Sequence, residues 1–130
     1  MDTKETILHM LDTEFIHEIS DIKDTMNNDS EGIKYLYQLE LSLLKLANHM
    51  IKQNYERFKE LPESLLLSPY ELMGIRLNNL VAFIHDFVVD LSDSLEDILS
   101  NCYLEGCNLN IDLNKLILDS MQNTYAQLLK

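Results

Sequence analysis

Glycine and proline are scarce, three and two in 130 residues. So little turn chemistry argues against an all-β fold and favours long helices. No apolar run approaches the roughly 18 residues that a membrane-spanning helix needs. The N-terminus carries Asp2 and Glu5, not the basic start and apolar core of a signal peptide. A cytoplasmic protein that does not engage a membrane is the expectation. Only two cysteines occur, Cys102 and Cys107, on either side of Gly106. A disulfide between them would close a very short loop and constrain little, and two thiols without histidine partners do not make a zinc site.

Basic residues are also few. Ten lysines and arginines face 22 aspartates and glutamates, for a formal charge of −12. Direct nucleic-acid binding and attachment to anionic membranes both need a basic surface, so both are disfavoured. Three scattered glycines form no phosphate-cradling loop. No Gly-x-Ser-x-Gly is present, and neither cysteine has a basic neighbour to lower its pKa, so nucleophilic catalysis has no support. The six tyrosines do not interleave with a basic patch, which argues against single-strand stacking.

What is present is apolar periodicity. The apolar fraction is 46%, enough for a core, and the length suits one domain over residues 1–130. The spacing predicts four helices. The first runs over about Thr3–Met26, with Asp2 and Glu5 at capping-box spacing and an apolar face of Leu8, Leu11, Phe15, Ile19, Ile22 and Met26. Asn27-Asn28-Asp29-Ser30 reads as a turn and the next cap. The second runs over about Glu31–Glu60, its buried side assigned to Leu36, Leu39, Leu43, Leu46, Met50 and the Tyr55/Phe58 end. Pro62 is expected to end it, because a proline disfavours the helical region for the residue before it. Leu65, Leu66 and Leu67 in the following linker are too apolar for a free loop and are expected to lie against the end of the bundle.

The third helix is expected over Ser68–Asn101. Ser68-Pro69-Tyr70-Glu71 is a strong start, and Leu77, Leu80, Ile84, Leu91, Leu95 and Ile98 share one face. Ser92 and Ser94 suggest a bend. Cys102–Asn108 is expected to be a loop. The fourth helix should begin at Asn108 or Asn110 and bury Leu113, Leu116, Ile117, Met121, Tyr125 and Leu128. Four helices with short connections predict an all-α, single-domain antiparallel bundle.

Charge sorts by helix. Residues 2–26 hold seven acids and two bases, and residues 69–101 hold six acids and one base, each a net of −5. Residues 31–60 hold four acids and five bases. On the third helix Asp86, Asp90, Asp93 and Asp97 recur at steps of four, three and four, and no lysine or arginine occurs between Arg76 and Lys115. Like charges at this spacing cost a helix about 0.2–0.5 kcal/mol per pair, so local stability does not account for the stripe. One explanation is a solvated face partly neutralised by lysines of the second helix. The other is a docking surface for a basic protein, with Phe83 and Phe87 as its aromatic border and Glu14, Glu18 and Asp21 of the first helix as a second acidic stripe.

Glu14 and His17 have the Glu-x-x-His spacing of carboxylate-bridged metal bundles, but such sites need a second motif and two more glutamates. Glu40 is the one further ligand the second helix offers, so neither a metal nor a cofactor is expected. His9 near Glu5 and His17 near Asp21 read instead as surface pairs. The functional expectation is a non-enzymatic acidic protein that occupies a basic partner, of the inhibitor, immunity-protein or antitoxin type, the partner being a nuclease or nucleic-acid-binding enzyme. The alternative is a homo-oligomeric adaptor bundle, a dimer through the apolar surface near Phe83 and Phe87, motivated by the unusual apolar width of the third helix. A carboxylate-metal helical enzyme is the weakest of the three.

Overall fold

The computed structural model describes residues 3–28, 31–66, 73–105 and 110–129. It is all-α: 92% helical, with six helices and no strand among the described residues. These are α1 (Thr3–Asn27), α2 (Glu31–Gln53), α3 (Tyr55–Phe58), α4 (Glu60–Ser64), α5 (Met73–Glu105) and α6 (Leu113–Leu128). The four long helices form the bundle, and α3 and α4 cross one end of it.

Contacts between side chains set the directions. Asp12 of α1 meets Lys52 and Asn48 of α2, and Lys4 lies over the Tyr55 ring just beyond α2, so residue numbers fall on α2 as they rise on α1. Those two helices are antiparallel. Glu14 meets His85 and Glu18 lies near Asp93, so α1 and α5 run parallel. Glu40 of α2 meets Ser92 of α5, and Tyr37 shares a small cleft with Glu96 and Leu99, which makes α2 and α5 antiparallel. Helices α1, α2 and α5 all pack on one another, and α6 lies against α5 and α2.

The core is centred on α5. Leu80, Phe83, Phe87, Leu91 and Leu95 are fully buried, and Ile84 and Val88 nearly so. Phe87 stacks on Phe83 with ring centroids 6.4 Å apart and meets Phe15 of α1 edge-on at 6.5 Å. Burial of a large apolar side chain contributes about 1.5–3 kcal/mol, so this aromatic group joins α1 to α5 firmly. Phe83 and Phe87 are therefore core residues and not the border of a docking surface. Most of the width that set this helix apart is used inside the chain: Phe83, Phe87 and the neighbouring Val88 are buried, whereas Val81 and Leu77, the latter expected on the buried face, are exposed near the start of the helix. The motive for a dimer near Phe83 and Phe87 goes with it.

On α1 the expected face is the observed one, with Ile7 added to the buried set. Thr13 and Thr25 satisfy their hydroxyls on the carbonyls of His9 and Asp21, one turn back. On α2 the face is displaced by one residue. Leu41, Leu44, Ala47 and Ile51 are buried, while Leu39, Leu43 and Met50 are half-buried and Leu46 is exposed. One residue is about 100° of rotation, and α2 carries so many leucines that two adjacent faces both read as apolar. The displacement turns Glu40 into the interior.

The second helix also ends earlier than its periodicity suggests. It breaks at Asn54, whose φ of −116° and ψ of 40° are not helical. Asn54 still donates to the Met50 carbonyl, and its own carbonyl accepts from Arg57 as α3 begins. The break lets Tyr55 and Phe58 turn under the bundle, where both are buried. Pro62 does not terminate anything. It is the third residue of α4, where its missing N–H would have had no helical partner. Leu65 is buried and Leu66 packs on the core, as expected for an apolar segment at the bundle end. Leu67 and the start Ser68-Pro69-Tyr70-Glu71 lie outside the described residues. Arg76 of α5 donates from Nη1 to the carbonyls of Ser64 and Leu65 at 3.2 and 3.0 Å, tying the end of α4 to α5.

At about 1.5 Å per residue the 33 residues of α5 extend roughly 50 Å. The helix continues unbroken through Ser92 and Ser94 and on to Glu105, so Cys102 is helical and not in a loop. Cys107 and Asn108 lie outside the described residues. The N-cap of α6 is Asp112, not Asn108 or Asn110: its side chain accepts from the Lys115 backbone N–H at 3.2 Å. The buried face of α6 is centred on Leu113, Ile117 and Met121, as the spacing predicts.

Candidate functional site: an acidic cleft between three helices

The parallel pairing of α1 and α5 brings their acidic faces side by side. Glu18 and Asp21 of α1, Asp93 and Glu96 of α5, and Glu40 of α2 line one cleft of about 180 Å³ around Ser92. Each helix contributes for a local reason. Glu18 and Asp21 sit beside the buried Ile22 on the α5-facing edge of α1. Ser92 is the small residue in the apolar row of α5, and its size allows Glu40 to approach. Glu40 is at the interior because α2 is rotated by one residue.

Glu40 is 2% exposed. The Ser92 hydroxyl donates to its Oε1 at 2.8 Å. Burial pushes its carboxyl up to about 7; the Ser92 hydrogen bond opposes this, and the negative charges of Glu96, Glu18 and Asp93 add to it. Glu18 is also raised, first by burial and then by Asp21 and Asp93, against the opposing influence of Ser92 and His85. Ser92 has a single hydroxyl proton to offer, so two raised carboxyls compete for one donor. Among the described residues no lysine, arginine or histidine lines this cleft.

One turn along, Glu14 Oε2 accepts from His85 Nδ1 at 2.9 Å. The Glu14 hydrogen bond holds the His85 pKa above its ordinary value, with the Glu14, Asp86 and Glu18 charges adding to the effect. Glu14 therefore points across to α5 and not toward His17. Among the described residues no group of three or more His, Cys, Asp and Glu is arranged to hold a metal ion. His9 and His17 are exposed.

Asp86, Asp93 and Asp97 are exposed and Asp90 is half-buried. The stripe lies on the solvent side of α5, and only Asp93 reaches the cleft. None of the four aspartates forms an ion pair among the described residues. Lys52 of α2 pairs with Asp12 and Lys59 with Glu56. Of the residues expected to bind a partner, then, Glu18, Asp21 and Asp93 come together, Glu14 lies one turn away, Asp86, Asp90 and Asp97 continue along the outside of α5, and Phe83 and Phe87 are buried elsewhere. Glu40, Ser92 and Glu96 complete the cleft without having been singled out as one site. The signal for Glu40 was the series Tyr37, Leu41, Leu44, Ala47 and Ile51, at helical spacing and offset by one residue from the leucine series.

Comparison with protein families, curated proteins and solved structures finds no match to this chain.

Proposed function

We infer that this chain is a non-enzymatic acidic binding protein whose α1/α5 face engages a cationic protein, of the inhibitor, immunity-protein or antitoxin type, with a nuclease or another nucleic-acid-binding enzyme as its target. The observation that carries this reading is the convergence of carboxylates from three helices on one cleft whose described lining has no basic side chain. A lysine or arginine of the partner entering it meets Glu18, Asp21, Asp93 and Glu96, with Glu40 behind them. Asp86, Asp90 and Asp97 extend the negative field along α5. Such a field acts mainly by steering encounter, so its effect is greatest on the association rate. A cation in the cleft favours ionised Glu40, so docking expels a proton and affinity rises with pH up to about 7.

The test is a pull-down from source lysate eluted in a salt gradient, followed by stopped-flow association of the captured basic protein with the parent chain and with the fourfold variant D86N/D90N/D93N/D97N. The variant keeps its helical spectrum and associates at least about tenfold more slowly. For the parent the rate falls steeply with ionic strength, since exposed charges are screened over about 10 Å at 0.1 M salt. Equal rates for variant and parent, or a parent rate insensitive to salt, refute the reading. Unfolding of the variant assigns the aspartates to the bundle's own stability.

A further inference from the structure

A second groove, between α1 and α2, has the opposite chemistry. It holds about 400 Å³ and is lined by Phe15, Ile16 and Ile19 of α1 together with Lys23, Lys45 and Asn48. Ile16 is 64% exposed there, among the most exposed large apolar residues described. Among the described residues no carboxylate lines the groove, although the chain carries 22 acids. Lys23 and Lys45 are exposed and form no ion pair among the described residues, whereas Lys52, two turns along α2 from Lys45, pairs with Asp12. Asn48 closes the groove at that end, its amide donating to Asp12 Oδ1 at 2.9 Å. Two cations are thus left over an apolar surface with no acid beside them among the described residues that line it.

The size and composition select among occupants. The volume lies in the range of small-molecule sites, about 300–1,000 Å³. The apolar lining is three residues of one helix, too short a row for the i, i+3, i+4 and i+7 anchors of a docked amphipathic helix. A bilayer with anionic lipids would be repelled by a surface carrying −12 overall. What remains is a small free molecule with one apolar chain and one anionic head.

We propose that the α1/α2 groove binds a monomeric single-chain carboxylate amphiphile, its alkyl chain over Ile16 and Ile19 above the buried Phe15 and its carboxylate between Lys23 and Lys45. The site is separate from the acidic cleft, and neither depends on the other. The alkyl chain covers Ile16, which water otherwise surrounds, and the head group supplies the charge that both lysines lack.

Decanoate below its micelle concentration is the probe, titrated into the isotope-labelled full chain and followed by amide chemical shifts. The expected result is saturable shifts concentrated on residues 15–23 and 45–48. The K23Q/K45Q variant, whose changes are both at exposed positions, keeps the parent's helical spectrum and binds decanoate roughly five- to tenfold more weakly. Decyltrimethylammonium, of equal chain length and opposite charge, leaves the groove amides unshifted. The proposal is overturned by shifts centred on another surface, by unchanged decanoate affinity in K23Q/K45Q, or by equal response of the groove to the cationic amphiphile.

Discussion

Replacing Glu40 with glutamine should stabilise the fold at neutral and alkaline pH, and the size of the gain follows from its burial. In the folded chain the Glu40 carboxyl is held at about 7, chiefly by burial, against 4.5 for an ordinary glutamate. The native state therefore binds this proton more tightly than the unfolded state does. Below about pH 4.5 both states hold it. Between 4.5 and about 7 the native state keeps a proton that the unfolded chain has released, so stability falls as pH rises through this window, and above it the full cost of a buried charge is in place. The gap of roughly 2.5 pH units, at about 1.4 kcal/mol per unit, is on the order of 3 kcal/mol. Glutamine has nearly the same shape, keeps an oxygen for the Ser92 hydroxyl and cannot ionise. Its amide hydrogens gain the Glu96 and Glu18 carboxylates as neighbours. Urea unfolding followed by far-ultraviolet circular dichroism, at several pH values from about 4.5 to 8, is the assay. Parent and Glu40→Gln curves should lie close together at the acid end and separate by up to about 3 kcal/mol at pH 8. Parallel curves, or a variant less stable than its parent at pH 8, would falsify the argument and place Glu40 in contact with water or with a cation.

Three further expectations concern stability and charge. Leu80→Ala and Ile84→Ala each remove side-chain atoms from the centre of the core and should cost about 2–5 kcal/mol in urea unfolding; a loss under half a kilocalorie would mean that α5 is rotated away from this packing. Asp112→Ala removes the side-chain acceptor that caps α6 and should cost about 1 kcal/mol, whereas Asn110→Ala should leave the midpoint unchanged. The Glu14–His85 pair raises the folded pKa of the imidazole, so its small stabilisation is fully present below pH 6.5 and is lost as pH rises through the raised value. In Glu14→Gln the His85 ring resonances should titrate at a lower pH than in the parent, and an unchanged titration midpoint would remove the pair.

The helical character of this chain and the buried faces of α1, α5 and α6 were legible from residues close in sequence. Glycine and proline are too few to interrupt long helices, and steps of three and four place Leu11, Phe15, Leu80, Ile84, Ile117 and Met121 on single faces. The acidic surplus of α1 and α5 was legible in the same way. Three features depended on which helix packs against which, and no local pattern encodes that. On α2 the leucines surround much of the helix, so only contact with α1 and α5 decided that Leu44 and Ile51 face inward and Leu46 outward. That rotation buried Glu40 and shifted its proton equilibrium. The breadth of the apolar face of α5 was visible, but whether Phe83 and Phe87 met a partner or the protein's own interior was settled by Phe15 arriving from α1. The parallel run of α1 beside α5 set Glu18 next to Asp93, 75 positions on, and turned two separate acidic helices into one cleft. Local periodicity fixes a helix and its amphipathic stripe because neighbouring turns share backbone geometry. The partner of each stripe is chosen by non-local burial and side-chain fit, and in this protein those contacts built the site.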